Sequence, residues 1–195
     1  MGHSQADKAA SHRRILKIAS RRVRERGLEA LTVAELMKAA GLTHGGFYGH
    51  FASREQLIAE ALETALDAGA RDAVTSPEAA LSSWSAPSLR IWVRSYLSRA
   101  HRDAPGTGCA LAALGGDVGR GPRPLRAIYA QALRRFIAGM ARLLGGDAGA
   151  ARRNSLVAAS TMIGALALAR AVDDQALSDE ILMAARHAVL AMEQA

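Results

Sequence analysis

Residues 32–51, Thr-Val-Ala-Glu-Leu-Met-Lys-Ala-Ala-Gly-Leu-Thr-His-Gly-Gly-Phe-Tyr-Gly-His-Phe, leave the backbone few choices. Thr32 stands where an N-cap is needed, and Glu35 three residues later completes a capping box. Val33, Leu36, Met37 and Ala40 then recur at helical spacing and give one apolar face. Gly41 falls where a C′ residue turns left-handed, so the helix stops there. Leu42 anchors the turn and Thr43 caps a second helix. Phe47 and Phe51, four apart, bury that helix against the first. Thr43, His44, Gly45, Tyr48 and Gly49 are left facing outward. Such a pair is either an ordinary helical hairpin or a helix-turn-helix with an outward recognition face.

Charge separates the two readings. The chain of 195 residues carries a net +7, and ten basic residues against four acidic ones leave +6 of it between residues 1 and 54. A basic lobe beside a near-neutral remainder is the electrostatic footprint of phosphate-backbone binding, whereas a merely solvated helix face needs no such bias. The run Gly46 to Leu57, Gly-Phe-Tyr-Gly-His-Phe-Ala-Ser-Arg-Glu-Gln-Leu, is similar to the G-x-F-Y-x-H-F-x-S/N-K-x-x-L ending of the DNA-binding domain of TetR-family transcriptional regulators. The preceding Leu-Thr-Val-Ala-Glu-Leu-Met-Lys-Ala-Ala-Gly-Leu-Thr resembles the first half of the same motif. The resemblance spans roughly residues 12–60.

The remainder reads as helix throughout. Ala, Leu and Arg dominate while Val, Ile and aromatics are scarce, which favours helix over sheet. An expected first helix covers 11–27, after a frayed stretch to about residue 9. A fourth, capped by Ser53, runs from 54 to 73. A Ser-, Pro- and Ala-rich break follows at 74–87, with one turn at 77–81. Further helices are predicted at 88–103, 109–118, 124–144, 148–171 and 178–193, separated by a break at 104–108 and a Gly-rich loop at 115–121. The fold class is therefore all-α, about nine helices, with a DNA-binding module at 1–54 and an effector-binding and dimerisation domain at 55–195. The segment 156–171 is almost free of charge. It is either a central core helix or a helix covered by a second copy of the chain. No apolar run approaches membrane-spanning length and the N-terminus lacks an apolar signal-type stretch, so no membrane partner and a cytoplasmic location are expected.

The resemblance assigns roles by position. Thr43, His44, Gly45 and Tyr48 would face base edges of a double-stranded, palindromic operator. Tyr48, His50 and Arg54 would touch phosphates, as would Thr32 from the start of the first short helix. Gly45, Gly46 and Gly49 depart from a robust recognition helix, at about 1 kcal/mol each relative to Ala. Homodimerisation through the last two helices, and repression relieved by a small-molecule effector, also follow from the resemblance. Its cavity would be enclosed by the helices bearing Trp92, Tyr96, Leu111, Leu114, Phe136, Met140 and Met162, each of which is otherwise simple core. Apolar or aromatic ligands are expected there.

Cys109, the only cysteine, opens a helix after Gly106-Thr107-Gly108. It is either a redox- or electrophile-sensing thiol or a small buried residue lining the pocket. An enzyme using Cys109 with His101 or His187 lacks an orienting third group. His44 and His50 do not share a helix face, so no metal site is expected. Residues 115–121 lack every phosphate-loop signature, and no cofactor is expected.

Overall fold

The computed structural model describes residues 5–72 and 88–192, and no strand occurs among them. In chain order the elements are α1 (Gln5–Arg26), α2 (Val33–Ala39), a 3-10 helix (His44–Gly49), α3 (Arg54–Asp72), α4 (Leu89–Tyr96), α5 (Arg99–Asp103), α6 (Ala110–Arg120), α7 (Arg123–Leu144), α8 (Ala148–Ala171) and α9 (Gln175–Ala191). The all-α reading holds. The break predicted at 74–87, with its turn at 77–81, lies outside the described residues.

The N-terminal lobe is α1, α2, the 3-10 helix and the first half of α3. Ile15, Ala19 and Val23 of α1 pack with Leu36 and Met37, Phe47 and Phe51, and Leu57, Ala61 and Leu62 of α3. α3 lies against α1 on one side and α6 and α7 on the other, which carries the lobe into the body. In the body, α7 and α9 flank α8, and α4 rests on α7 and α9.

Several boundaries differ from the sequence reading, each for a local reason. α1 starts at Gln5, because Gln-Ala-Asp-Lys-Ala-Ala are good helix formers or, like Asp7, suit the first-turn dipole. The single helix expected at 88–103 is two, since the Ser98 hydroxyl accepts from the His101 N–H and starts α5 afresh. α6 continues through Gly115, Gly116 and Gly119 to Arg120, so the Gly-rich stretch is helical. α9 begins at Gln175 behind an Asp174 cap and not at 178, and Ser178 is buried inside it. Asp147 caps α8, its carboxylate accepting from the Gly149 and Ala150 N–H groups. α8 also corrects the expectation about apolar length: its 24 residues reach mean hydropathy 1.2 over an 18-residue window, enough in length and composition to cross a membrane. Here one side of that surface, Ala158, Met162, Ala165, Leu166 and Ala169, is spent on packing within the body.

Candidate functional site

Between α2 and the 3-10 helix the chain makes the expected turn. Gly41 has φ +69°, its N–H donates to the Lys38 carbonyl and the Leu42 N–H to the Met37 carbonyl, a Schellman pair. Thr32 and Thr43 occupy the N-cap positions in extended backbone, but neither side chain makes a cap hydrogen bond. The capping box at Thr32 is thus not formed, and both residues lie exposed. A related cap forms at the start of α3. There the Ser53 hydroxyl accepts from the Gln56 N–H at 3.1 Å, and Gln56 Oε1 accepts from the Ala52 N–H at 2.7 Å.

The second helix is 3-10 rather than α. Three glycines in six residues leave little to favour the α form, and the Gly46 and His50 N–H groups bond three residues back, to Thr43 and Phe47. Phe47 and Phe51 stack at 5.5 Å beneath it and fix its seat, at about 1.5–3 kcal/mol per buried ring. Above them His44 and Gly45 are exposed and Tyr48 is 74% exposed. His50 is half-buried, with Nδ1 enclosed and without a hydrogen-bond partner. Burial first, then the proximity of His12 and Lys8, holds its pKa below the ordinary histidine value, so at neutral pH it is an uncharged group. Arg54 is exposed, and its Nη2 leans on the Glu29 and Leu31 carbonyls at 3.4 Å.

The basic surface is narrower than the sequence suggests. Arg13, Arg14, Lys17, Arg26 and Lys38 are exposed, but Arg24 is only 8% exposed. Its Nε donates to the Gly106 carbonyl at 2.8 Å and its Nη1 to the Ala65 carbonyl at 3.0 Å, tying α1 to α3 and to the turn before α6. A second tie lies beside it. The Leu28 N–H donates to Asp117 of α6 at 2.9 Å, and a Cβ on Gly27, which has φ +85°, would sit 2.6 Å from that same carboxylate oxygen. In the sequence Arg24 is one of ten basic residues in 1–54 and Asp117 an acid of the Gly-rich stretch, and nothing beside either names a partner. Their partners lie 82 and 89 residues away. A local hint existed in Gly27, a helix stop whose missing side chain makes room for a partner.

The residues expected to enclose an effector come together in the body. Trp92 and Tyr96, one turn apart on α4, stand 5.0 and 5.8 Å from the Phe136 ring of α7. Leu111 and Leu114 of α6, Met140 of α7 and Met162 of α8 are buried in the same cluster. A cleft of about 540 Å³ lies elsewhere, between the end of α1, α5, α6 and the α8–α9 turn, and is lined by Arg24, Glu25, Arg102, Ala113, Arg170 and Gln175 among others. None of the expected effector residues lines it.

Cys109 is the N-cap of α6, 9% exposed, with no side-chain cap bond. Its N–H donates to His101 Nε2 at 2.9 Å, while His101 Nδ1 donates to the Tyr96 carbonyl at 2.7 Å. An amide can only donate and a carbonyl only accept, so this imidazole is neutral and bridges the end of α4 to the start of α6. Burial, reinforced by Arg170 and opposed by the Tyr96 carbonyl, lowers its pKa from 6.5. In the unfolded chain the ring regains its ordinary pKa. The bridge therefore stabilises fully above about pH 6.5 and weakens as pH falls below it. Melting followed at about pH 7.5 and 5.5 should show a loss on acidification that is smaller by about 2 °C or more in His101→Gln. Equal losses in both proteins would mean His101 is not the responsible group; His50, shifted the same way, is unchanged in the pair.

On the far side of the body, α8 and α9 expose apolar residues. Val157 and Leu168 of α8 are 52% and 58% exposed, and Met183 of α9 is 52% exposed. In the single chain, therefore, α8 is packed on one side and open on the other.

Comparison with known proteins follows this division into two parts. Residues 15–61 match the family model described as bacterial regulatory proteins, tetR family. The chain is 42% identical over 53 residues to the HTH-type transcriptional repressor KstR2 of Mycobacterium tuberculosis, covering 27% of this chain and 26% of that protein. With KstR2 of Rhodococcus jostii it shares 40% over 60 residues, 31% and 29% of the two chains. The chain thus matches only about a quarter of the length of these curated relatives. Whole-chain similarity is to solved structures. A TetR-family transcriptional regulator from Cytophaga hutchinsonii superposes with TM-score 0.76 at 16% identity, covering 98% of each chain. The reduced form of E. coli NemR gives 0.72 at 20%, covering 92% of this chain and 95% of that one. At those identities the likeness is one of fold.

Proposed function

We propose that this chain is a tetR-family regulator, a cytoplasmic repressor that binds a palindromic double-stranded DNA operator as a homodimer and leaves it when a small molecule occupies the helical body. The observation that carries the reading is the outward side of residues 43–48. Thr43, His44, Gly45 and the largely exposed Tyr48 project from a seat fixed by Phe47 and Phe51, with an exposed basic surface on α1 beside it. Small side chains over three glycines let backbone approach base edges closely, so Thr43 and His44 carry most of the sequence reading. Thr32, Tyr48, His50 and Arg54 anchor to phosphates, which positions the protein without specifying sequence. His50 does so as a neutral donor. The open apolar side of α8 and α9 supports the dimer. Coupling to the effector runs from α6 into the lobe through Asp117–Leu28 and Arg24–Gly106, in addition to α3, and by linkage effector and DNA weaken each other equally.

The test is a gel-shift competition between the protein's own upstream region and random DNA at physiological salt, with His44→Ala and Arg54→Ala alongside. Wild type should discriminate strongly. His44→Ala should lose preference, about 1–3 kcal/mol at the bases it reads, whereas Arg54→Ala weakens binding on all sequences alike. Equal losses by both variants on both DNAs would overturn the division into readers and anchors. A protein that merely coats DNA would show no preference and a steep salt slope.

A second reading, a redox- or electrophile-sensing switch, is favoured by one contact set: the Cys109 thiol lies beside the Tyr96 phenol and the Arg170 guanidinium. Burial of Cys109 opposes it by limiting access. Oxidant added to wild type and Cys109→Ser decides; equal DNA release removes the thiol from the mechanism.

A further inference from the structure

Three buried hydrogen-bond donors in the body have no acceptor: Trp92 Nε1, Tyr96 Oη and one Arg170 guanidinium nitrogen, Nη1. Native structures rarely leave such groups unmet, and an unmet set in one region calls for a reason. The three belong together. Trp92 and Tyr96 stand against the same Phe136 ring. Arg170 acts electrostatically on Tyr96 and on Cys109, and its Nη2 packs over Gly108, next in sequence to Cys109. The Tyr96 phenol has the Cys109 thiol as its hydrogen-bonding neighbour, and sulfur is a weak acceptor that leaves the phenol poorly satisfied. Arg186 Nε is also unmet, yet that guanidinium is held at the Leu97 carbonyl on the seam with α9.

The character of the missing partner follows from the donors. All three point to an acceptor, and one carries a fixed positive charge. Arg170 donates only to backbone carbonyls, those of Arg102 at 3.0 Å and His101 at 2.7 Å. Asp103, a carboxylate that acts on it, is itself engaged by Arg102 at 2.6 Å. A half-buried cation whose hydrogen bonds all go to neutral carbonyls has no counter-charge in direct contact. Around it, the rings of Trp92, Tyr96 and Phe136 offer flat apolar surface, and Met140 and Met162 are side chains that adapt to an incoming shape. Arg170 is also part of the wall of the 540 Å³ cleft, a volume of the size small-molecule sites have.

Resting on the effector reading above, we propose that the small molecule this body accepts is a carboxylate on a flat, apolar frame, its oxygens taken by Arg170, Tyr96 and Trp92 and its frame laid against Phe136. Burial keeps the Tyr96 phenol protonated well past neutral pH, so it serves as a donor throughout. The ligand class narrows from apolar or aromatic molecules in general to their organic acids.

The experiment is a calorimetric titration of the full chain with 2-naphthoate and with 2-methylnaphthalene, equal in shape and lacking the oxygens. Naphthoate should bind at least about tenfold tighter. Tyr96→Phe and Arg170→Gln should each remove about fivefold or more of that preference and leave 2-methylnaphthalene unchanged. Tyr96→Phe should also melt in ligand-free form within about 2 °C of wild type, because its hydroxyl has only the weak thiol contact to lose. Equal binding of the two probes, binding of neither, or a clear drop in ligand-free melting for Tyr96→Phe would each overturn the proposal. Release of upstream DNA, read in the same samples, separates this from the effector reading. If 2-methylnaphthalene releases DNA as well as naphthoate does, the carboxylate is wrong and the effector reading stands. If naphthoate binds through Tyr96 and Arg170 without releasing DNA, the site stands and the effector reading falls.

Discussion

Arg24→Met should lower the melting temperature by roughly 6–12 °C, an effect of about 3 kcal/mol in a chain of this size. Methionine keeps most of the buried volume, so the loss comes from polarity. Two hydrogen bonds, to Gly106 and Ala65, disappear, and the Gly106 carbonyl in the turn before α6 is left without its donor. Removing a charged donor from a buried acceptor falls at the upper end of single-bond effects. Arg24→Lys should recover less than half, because an ammonium cannot span two carbonyls that a guanidinium reaches from different nitrogens. Arg13→Met, an exposed position on the same helix, should shift melting by less than about 2 °C. Calorimetry on the three proteins checks this. An Arg24→Met melt within about 2 °C of wild type would mean the clamp contributes nothing to holding lobe and body together.

The other large effect concerns assembly. Leu168→Glu, and more so Val157→Glu with it, should leave the single chain's stability within about 1 kcal/mol of wild type, since both side chains are more than half exposed there. A carboxylate forced into an apolar interface without a partner is a different matter, at about 2–5 kcal/mol. The double variant should therefore sediment as a monomer. Its affinity for a palindromic operator should fall about 100-fold or more, because two recognition segments no longer bind as one unit. Sedimentation and gel shift on the same preparation test both halves. A double variant that keeps dimer mass would place the interface elsewhere than α8 and α9. One that becomes monomeric with unchanged operator affinity would overturn dimeric recognition.

What could be read from residues alone was what residues decide among near neighbours. Gly41 stops α2 because only its own φ is at stake, and Leu42 and Phe47 complete the turn within a few positions. The run 148–171 is a helix from Asp147 to Ala171, as its cap and composition require. The same local physics explains the misjudged pieces. Ser98 competes as a cap inside what looked like one helix, and Gly115, Gly116 and Gly119 remain helical because α6 is held by α1, α3, α7 and α8 around it. Three glycines did announce a weak recognition segment, but whether weakness means fraying or the tighter 3-10 winding depended on the aromatic seat below it.

The residues linking the two parts were not legible, because their chemistry depends on which distant backbone groups arrive beside them. Arg24 looks like any other arginine of a basic helix until the Gly106 carbonyl lies 2.8 Å away, and Asp117 like any solvent acid until the Leu28 N–H reaches it. The unmet donors lie further still from the sequence. Trp92 and Tyr96 could be named as pocket residues by resemblance, but a donor without an acceptor is a property of everything packed around it. The sequence by itself therefore determined most of the helical runs, the turn and the outward side of residues 43–48, which are short-range consequences of side-chain size and backbone preference. Only the tertiary structure decided how the lobe is tied to the body and which buried groups still await a partner, because both are settled by contacts between residues far apart in the chain.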